Sequence, residues 1–256
     1  MQRSSPRSVV SSRVIRLSAR ALAASAVAVA VACGGPSGSG RDDPRPAAGA
    51  APATSVASGA VAAARPVDAR PRVVFLGDSL TAGYGLDPGL SFPDVVQQRI
   101  DAAGLDYAVV NMGVSGDTSA GGRRRLDWAL DGDVKVLVVA LGGNDGLRGL
   151  APSELRANLA AIIDAARARR IDVLLCGMEA PPNFGGEYTR EFREVYPSLA
   201  RDKQVALLPF LLEGVAGDPA LNQPDGIHPS AEGATRVADL VWTSLRPLLN
   251  TSHGTR

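Results

Sequence analysis

A serine that is to attack a carbonyl needs a base within hydrogen-bond reach, because a free hydroxyl is a poor nucleophile at neutral pH. Only two histidines occur among 256 residues, His228 and His253. His253 stands in the polar tail TSHGTR, where a catalytic group would be hard to hold. His228 lies in DGIHPS at 225–230, three residues after Asp225 and just before Pro229. One compact turn there would set the carboxylate beside the ring, fix its tautomer and stabilise its charged form. The other ring nitrogen would then be available for a serine proton. Ser79, in GDSLTAGYG at 77–85, directly follows an apolar run, and the glycines around it permit a tight chain path. Taken alone, Ser79 reads as a helix or turn cap, and the Asp225–His228 pair equally as a surface turn.

The elements that must position these groups follow from periodicity. From residue 71 onward, apolar runs of strand character at 72–76, 106–112, 134–141, 171–178 and 203–210 alternate with segments of helical spacing. The runs are mostly continuous rather than alternating, as expected for strands covered on both faces. The helical segments are SFPDVVQQRIDAAG, RRRLDWALDG, SELRANLAAIIDAARARR and TREFREVYPSLARD, followed by a last helix from about Ala231 to Leu245 that Pro247 should end. TREFREVYPSLARD is polar enough to read alternatively as part of a mobile flap. This pattern predicts a three-layer α/β/α sandwich around a mainly parallel five-stranded sheet, flavodoxin-like, with ligands at the carboxyl ends of the strands.

Those strand ends carry Gly77-Asp78-Ser79, Asn111-Met112-Gly113 and Gly142-Gly143-Asn144-Asp145. Acyl transfer through Ser79 would need polarised N–H groups where negative charge grows on the carbonyl oxygen. The backbone amides of Ser79 and Gly113 and the side-chain amide of Asn144 are the candidates, with turn formation as the bland account of the last two. Asp78 and Asp145 sit beside glycines and are read as supports that orient Ser79 and Asn144. Arg148 reads as a solvated loop charge or a rim contact for an acidic head group. Met178, Phe184 and Tyr188, in or beside EAPPNFGGEY, are candidates for a substrate groove or for core packing.

The four segments GDSLTAGYG, NMGVSGDT (111–118), GGND (142–145) and DGIHPS together resemble the GDSL, or SGNH, hydrolase family, in that family's order along about 180 residues from 71 on. The resemblance implies a catalytic serine at Ser79, a glycine donor at Gly113, an asparagine donor at Asn144, and base and orienting acid at His228 and Asp225. Within the family the chain is most similar to the bacterial esterase, acyl-CoA thioesterase and lysophospholipase group, through GYGLDPGLSFP and GGNDGLRG. A serine esterase acting on small acyl esters or lysophospholipids, without metal or organic cofactor, is the implied function. Alternatives are a carbohydrate O-acetyl esterase and a non-catalytic binding module on the same fold. The nucleophile-elbow pattern G-x-S-x-G fails because Thr81 replaces its second glycine, and no phosphate-binding loop is present.

The ends of the chain speak to location. Residues 1–32 carry five arginines, no acidic residue and then ALAASAVAVAVA, too short for a usual span, which predicts an export signal. Cys33 follows directly and is a candidate for lipidation, although Ala30 stands where lipoprotein cleavage boxes prefer Leu; a secreted form cut after Ala-x-Ala and an uncleaved anchor are the other readings. Residues 33–70, rich in Pro, Gly and Ala, read as a flexible tether, 71–250 as the hydrolase domain and 251–256 as a polar tail. The protein is thus expected to be exported, as a membrane-anchored lipoprotein facing the periplasm or cell exterior, or else soluble in the periplasm or secreted. Loss of the leader leaves 22 basic against 26 acidic residues, so a nucleic-acid partner is not expected. Cys176, after the apolar run VLL, reads as a buried structural thiol, and two cysteines cannot build a disulfide framework or, with so few histidines, a zinc site.

Overall fold

The computed structural model describes residues 70–251. The export signal, nearly all of the tether including Cys33, and all but the first residue of the tail including His253 lie outside the described residues.

Five strands, β1 (Arg72–Gly77), β2 (Ala108–Gly113), β3 (Val134–Ala140), β4 (Asp172–Cys176) and β5 (Ala206–Leu208), form one parallel sheet in the order β2-β1-β3-β4-β5. The helices are α1 (Ser79–Ala82), α2 (Phe92–Ala102), α3 (Ser119–Arg124), α4 (Leu126–Ala129), α5 (Gly143–Leu147), α6 (Pro152–Ala168), α7 (Gly186–Lys203) and α8 (Ala231–Thr251). Val73 to Leu76 of β1 and Val136 to Val139 of β3 are buried without interruption, the signature of strands covered on both sides. The connection β1 to β2 crosses the sheet in one direction and β3 to β5 in the other. Right-handed crossovers therefore put α2 on one face and α6 and α7 on the opposite face. Accordingly α2 packs on α8, and α6 packs on α3 and α7. The reversal between β1 and its two neighbours opens a crevice at the carboxyl edge of the sheet, where the candidate residues converge.

All five expected strands are present: β1 and β2 run one residue further at their carboxyl ends, and β2 and β5 start later than expected. β5 begins only at Ala206 because Lys203 still belongs to α7, which closes on Gln204 in the left-handed conformation (φ 52°). α6 forms as its spacing predicts: Leu155, Leu159, Ile162 and Ile163 are fully buried, each worth about 1.5–3 kcal/mol of transfer free energy. TREFREVYPSLARD is not a flap. It lies within α7, whose Phe192, Val195, Tyr196 and Leu199 are buried against the core, so its charged residues are simply its solvent side. RRRLDWALDG splits instead of forming one helix, because the chain bends at Arg125 (φ −103°, ψ 10°) between α3 and α4. The last helix continues through Pro247 to Thr251. Its apolar face extends to fully buried Leu249, whose carbonyl accepts the Tyr107 hydroxyl at 3.2 Å, which outweighs the one N–H that proline lacks. Cys176 is buried and unpaired, and burial pushes its thiol up to about 12.

Two glycines let the first helix sit directly on the strand ends. A Cβ on Gly77 would lie 1.9 Å from Thr81 Oγ1, and one on Gly113 would lie 2.2 Å from the backbone nitrogen of Ala82. Gly77 and Gly113 are also register partners in β1 and β2. Any side chain at either position would push α1, and Ser79 with it, away from the sheet.

Candidate active site

Ser79 is the first residue of α1, immediately beyond β1. Asp78 caps this helix: its Oδ1 accepts the Leu80 N–H at 3.1 Å. The Ser79 N–H, one of the donors a helix start leaves without an internal acceptor, has no acceptor among the described residues.

His228 reaches Ser79 from the loop before α8. Its Nε2 lies 2.9 Å from Ser79 Oγ and its Nδ1 2.7 Å from Asp225 Oδ2. The other carboxylate oxygen, Oδ1, accepts the backbone N–H groups of Ile227 (2.9 Å) and His228 (3.0 Å). These two amides, with the imidazole, hold the Asp225 carboxyl down to about 2, so it is ionised at any pH at which the ring could act. With a carboxylate on Nδ1, the neutral ring carries its proton there and leaves Nε2 as the acceptor for the serine. Gln223 locks this loop to the nucleophile loop. Its N–H donates to the His228 carbonyl at 2.7 Å, and its side-chain Nε2 donates to the carbonyls of Tyr84 (2.7 Å) and Pro229 (3.0 Å). The Tyr84 ring covers the imidazole with centroids 4.8 Å apart.

Asn144 stands in the first turn of α5. Its Nδ2 donates to the Asp117 carbonyl at 3.0 Å and faces Asp78 Oδ2 across 3.4 Å, a contact long enough to be weak. Burial pushes the Asp78 carboxyl up to about 6, against the opposing pull of the Leu80 N–H, His228 and Asn144. Asp145 does not face the cavity. It is buried, and its two oxygens accept the Ser119 N–H (2.8 Å) and hydroxyl (2.6 Å), pinning α5 to α3. Asp78 thus touches both α1 and the Asn144 amide, whereas the side chain of Asp145 bonds α3.

Gly113, the expected glycine donor, has its N–H engaged. It is still in β2, that N–H is taken by Asn111 Oδ1 at 2.9 Å, and the residue does not line the cavity at Ser79. Gly116, three residues on, has φ +82°, lines that cavity, and its N–H has no acceptor among the described residues. The register of the strand explains the difference: Gly113 pairs with Gly77, and only beyond it does the chain turn over the strand ends. The cavity, about 730 Å³, is lined by Ser79, Asn144 and His228 on its polar side and by Leu147, Met178, Pro181, Phe210, Leu212 and Ile227 among its apolar walls. Of the expected groove residues only Met178 lines it. Phe184 packs on Tyr188 (centroids 5.3 Å apart) and over Gly149, while the Tyr188 hydroxyl donates to the Leu150 carbonyl at 2.8 Å; both brace the chain after α5 instead of facing substrate. Arg148 donates to the Gly116 carbonyl at 2.9 Å, so it is a strut of the loop as well as a rim charge.

A serine, an imidazole and a carboxylate in relay at the switch point of a parallel α/β sheet define a serine hydrolase. The chain belongs to the GDSL-like lipase/acylhydrolase family, which its sequence matches over residues 75–236. It is 46% identical over 178 residues to the esterase TesA of Pseudomonas aeruginosa, covering 69% of this chain and 89% of that one. The thioesterase 1/protease 1/lysophospholipase L1 of Escherichia coli K12 is 37% identical over 179 residues, covering 70% and 85%. A crystal structure of TesA superposes with a TM-score of 0.67 at 44% identity, covering 69% of this chain and 99% of that chain. Fold, family and relatives together make this protein an esterase-type serine hydrolase.

Proposed function

We propose that the protein cleaves acyl esters through an acyl-enzyme on Ser79, with His228 as base and then acid and Asp225 as the group that orients and charges the ring. The observation that carries this reading is the unbroken relay from Asp225 through His228 to Ser79 at 2.7 and 2.9 Å. Oγ attacks the carbonyl carbon as its proton passes to Nε2. Charge collects on the carbonyl oxygen, where the N–H groups of Ser79 and Gly116 and the amide of Asn144 are the donors. For Asn144 this means giving the oxyanion the proton it now turns toward Asp78. The imidazolium returns the proton to the departing alkoxide, the acyl-enzyme is attacked by water that His228 deprotonates, and the acid leaves. An oxyanion donor of this kind contributes about 2.7–4 kcal/mol.

The apolar walls favour a substrate with a hydrocarbon acyl chain, and the names of the relatives, esterase and thioesterase/lysophospholipase, agree with acyl esters and lysophospholipids. Burying each added CH₂ is worth about 0.8 kcal/mol. Across p-nitrophenyl esters of rising chain length, kcat/KM should therefore climb up to about fourfold per methylene until the groove is full. An acetylated glycan turned over faster than every longer-chain ester would replace this reading with a carbohydrate O-acetyl esterase.

Export and a lipid on Cys33 complete the proposal, supported by the basic leader and the small-residue run before that cysteine. Among the described residues no helix is long and apolar enough to cross a membrane. Mass spectrometry of the native amino terminus should find a diacylglyceryl-modified Cys33; a chain beginning at an unmodified Met1 would remove the proposal.

A further inference from the structure

Three consecutive arginines, Arg123 to Arg125, look alike in the sequence, but the fold treats the third differently. Arg123 and Arg124 are exposed, whereas the side chain of Arg125 is only 15% exposed and its ion-pair partner Asp117 18%. Placed at the bend between α3 and α4, the Arg125 guanidinium spends its fork on three separate segments. Nη2 donates to the Gly77 carbonyl at 2.7 Å, Nη1 to the Met112 carbonyl at 2.6 Å, and Nε to Asp117 Oδ2 at 2.7 Å. Gly77 ends β1 one residue before Asp78 and two before Ser79. Met112 lies in the last turn of pleat of β2. Asp117 closes the loop that carries Gly116, and its own carbonyl receives the Asn144 amide at 3.0 Å. The same loop hangs from β1 through the Val114 N–H, bonded to Gly77 O at 3.1 Å, and folds on itself through the Asp117 N–H, bonded to Val114 O at 3.0 Å. One guanidinium thus ties the ends of β1 and β2 to the loop that carries Gly116 and, through Asp117, to the Asn144 amide.

We propose that Arg125 is the positioning residue of the oxyanion site: a buried three-way clamp that fixes the Gly116 N–H and the Asn144 amide relative to Ser79 Oγ without touching substrate. The inference rests on the assignment of Ser79 as nucleophile. Its physical basis is the planar fork of arginine, which can hold two carbonyls and a carboxylate in one plane, where a lysine ammonium offers a point charge on a flexible stem. A displacement of about 1 Å in such a frame is enough to cost on the order of 10²-fold in rate. Most of the apolar wall, Met178 and Pro181 after β4, Phe210 and Leu212 after β5 and Ile227 before α8, makes no hydrogen bond to the clamp.

The test compares the full-length protein with Arg125→Lys, Arg125→Met and Asp117→Asn on a soluble short-chain p-nitrophenyl ester, each rate divided by active sites titrated with a fluorophosphonate. The clamp predicts kcat lower by about 10²-fold in Arg125→Met and by about tenfold or more in Arg125→Lys, with KM within about threefold of wild type. It also predicts that Arg125→Lys and Asp117→Asn are non-additive when combined, since both loosen the same loop. If Arg125→Met does not fold, the Lys variant, which keeps the charge and loses the fork, carries the decision. Unchanged kcat per titrated site with a lowered Tm would make Arg125 a stability residue only and overturn the proposal, as would additive losses or a rise confined to KM. A wild-type protein that turns over no ester and takes no label would instead sink the Ser79 assignment itself, which these variants do not address.

Discussion

At the scale of the residue, the side chains proposed for the chemistry, and the Ser79 amide with them, were legible in type and spacing, whereas the position of the second backbone donor was not. Ser79, Asp225, His228 and Asn144 stand out only when the four segments are taken together, since each alone reads as a cap or a turn. Gly113 and Gly116 are chemically identical in the sequence; which of them has a spare N–H depends on where β2 stops pairing with β1, and that is a property of the fold. The run Arg123 to Arg125 gave no sign that one member turns inward. Asp78 has a further consequence. Its carboxyl is raised to about 6 by burial, well above the ordinary value of about 3.9 for an unfolded chain. The folded state therefore holds this proton more tightly than the unfolded chain does. Stability contributed by the protonated group is full below about pH 4 and is lost as pH rises through about 6, a cost on the order of 3 kcal/mol at neutral pH. Asp78→Asn should accordingly raise Tm relative to wild type more at pH 7.5 than at pH 4, measured by thermal unfolding at both. A difference that is the same at the two pH values would mean that the carboxyl is not held near 6.

At the scale of the element, the sheet and most helices followed from apolar periodicity, and the departures occur where a local rule met a larger surface. Pro247 should have ended α8, but buried Leu245 and Leu249 on either side of it keep the helix against the core. TREFREVYPSLARD looked too polar to pack, yet its six charged residues in fourteen leave room for the stripe of Phe192, Val195, Tyr196 and Leu199. Helix α1 sits directly on the end of β2: a Cβ on Gly113 would lie 2.2 Å from the Ala82 backbone nitrogen. Gly113→Ala should therefore lower stability by about 1–3 kcal/mol, the usual range for overpacking, and lower kcat more than Gly104→Ala does. Gly104 makes a suitable control: unlike Gly113 it has free space around it, though its φ of +68° adds strain of its own. Equal kcat in the two variants would show that α1 can shift without moving Ser79 out of reach of His228.

At the scale of the whole molecule, the parallel order β2-β1-β3-β4-β5 explains why residues separated by 149 positions meet: the switch point between β1 and β3 gathers the nucleophile, the oxyanion loop and α5, and the loop before α8 crosses over them with His228. The apolar cavity then extends from Ser79 toward the ends of β4 and β5, where Met178, Phe210 and Leu212 stand. Sequence periodicity foretold this architecture but not the walls of the cavity, because Phe184 and Tyr188 have the right composition for a groove and the wrong direction. The account as a whole depends on one hydroxyl being activated by one ring. Its most direct measurement is peptide-resolved mass spectrometry after treatment with a fluorophosphonate: the expected result is one adduct per molecule, on the peptide bearing Ser79, formed at least about a hundredfold more slowly when His228 is replaced by Ala. Stoichiometric labelling of another residue, or esterase turnover at the full rate in Ser79→Ala, would contradict it.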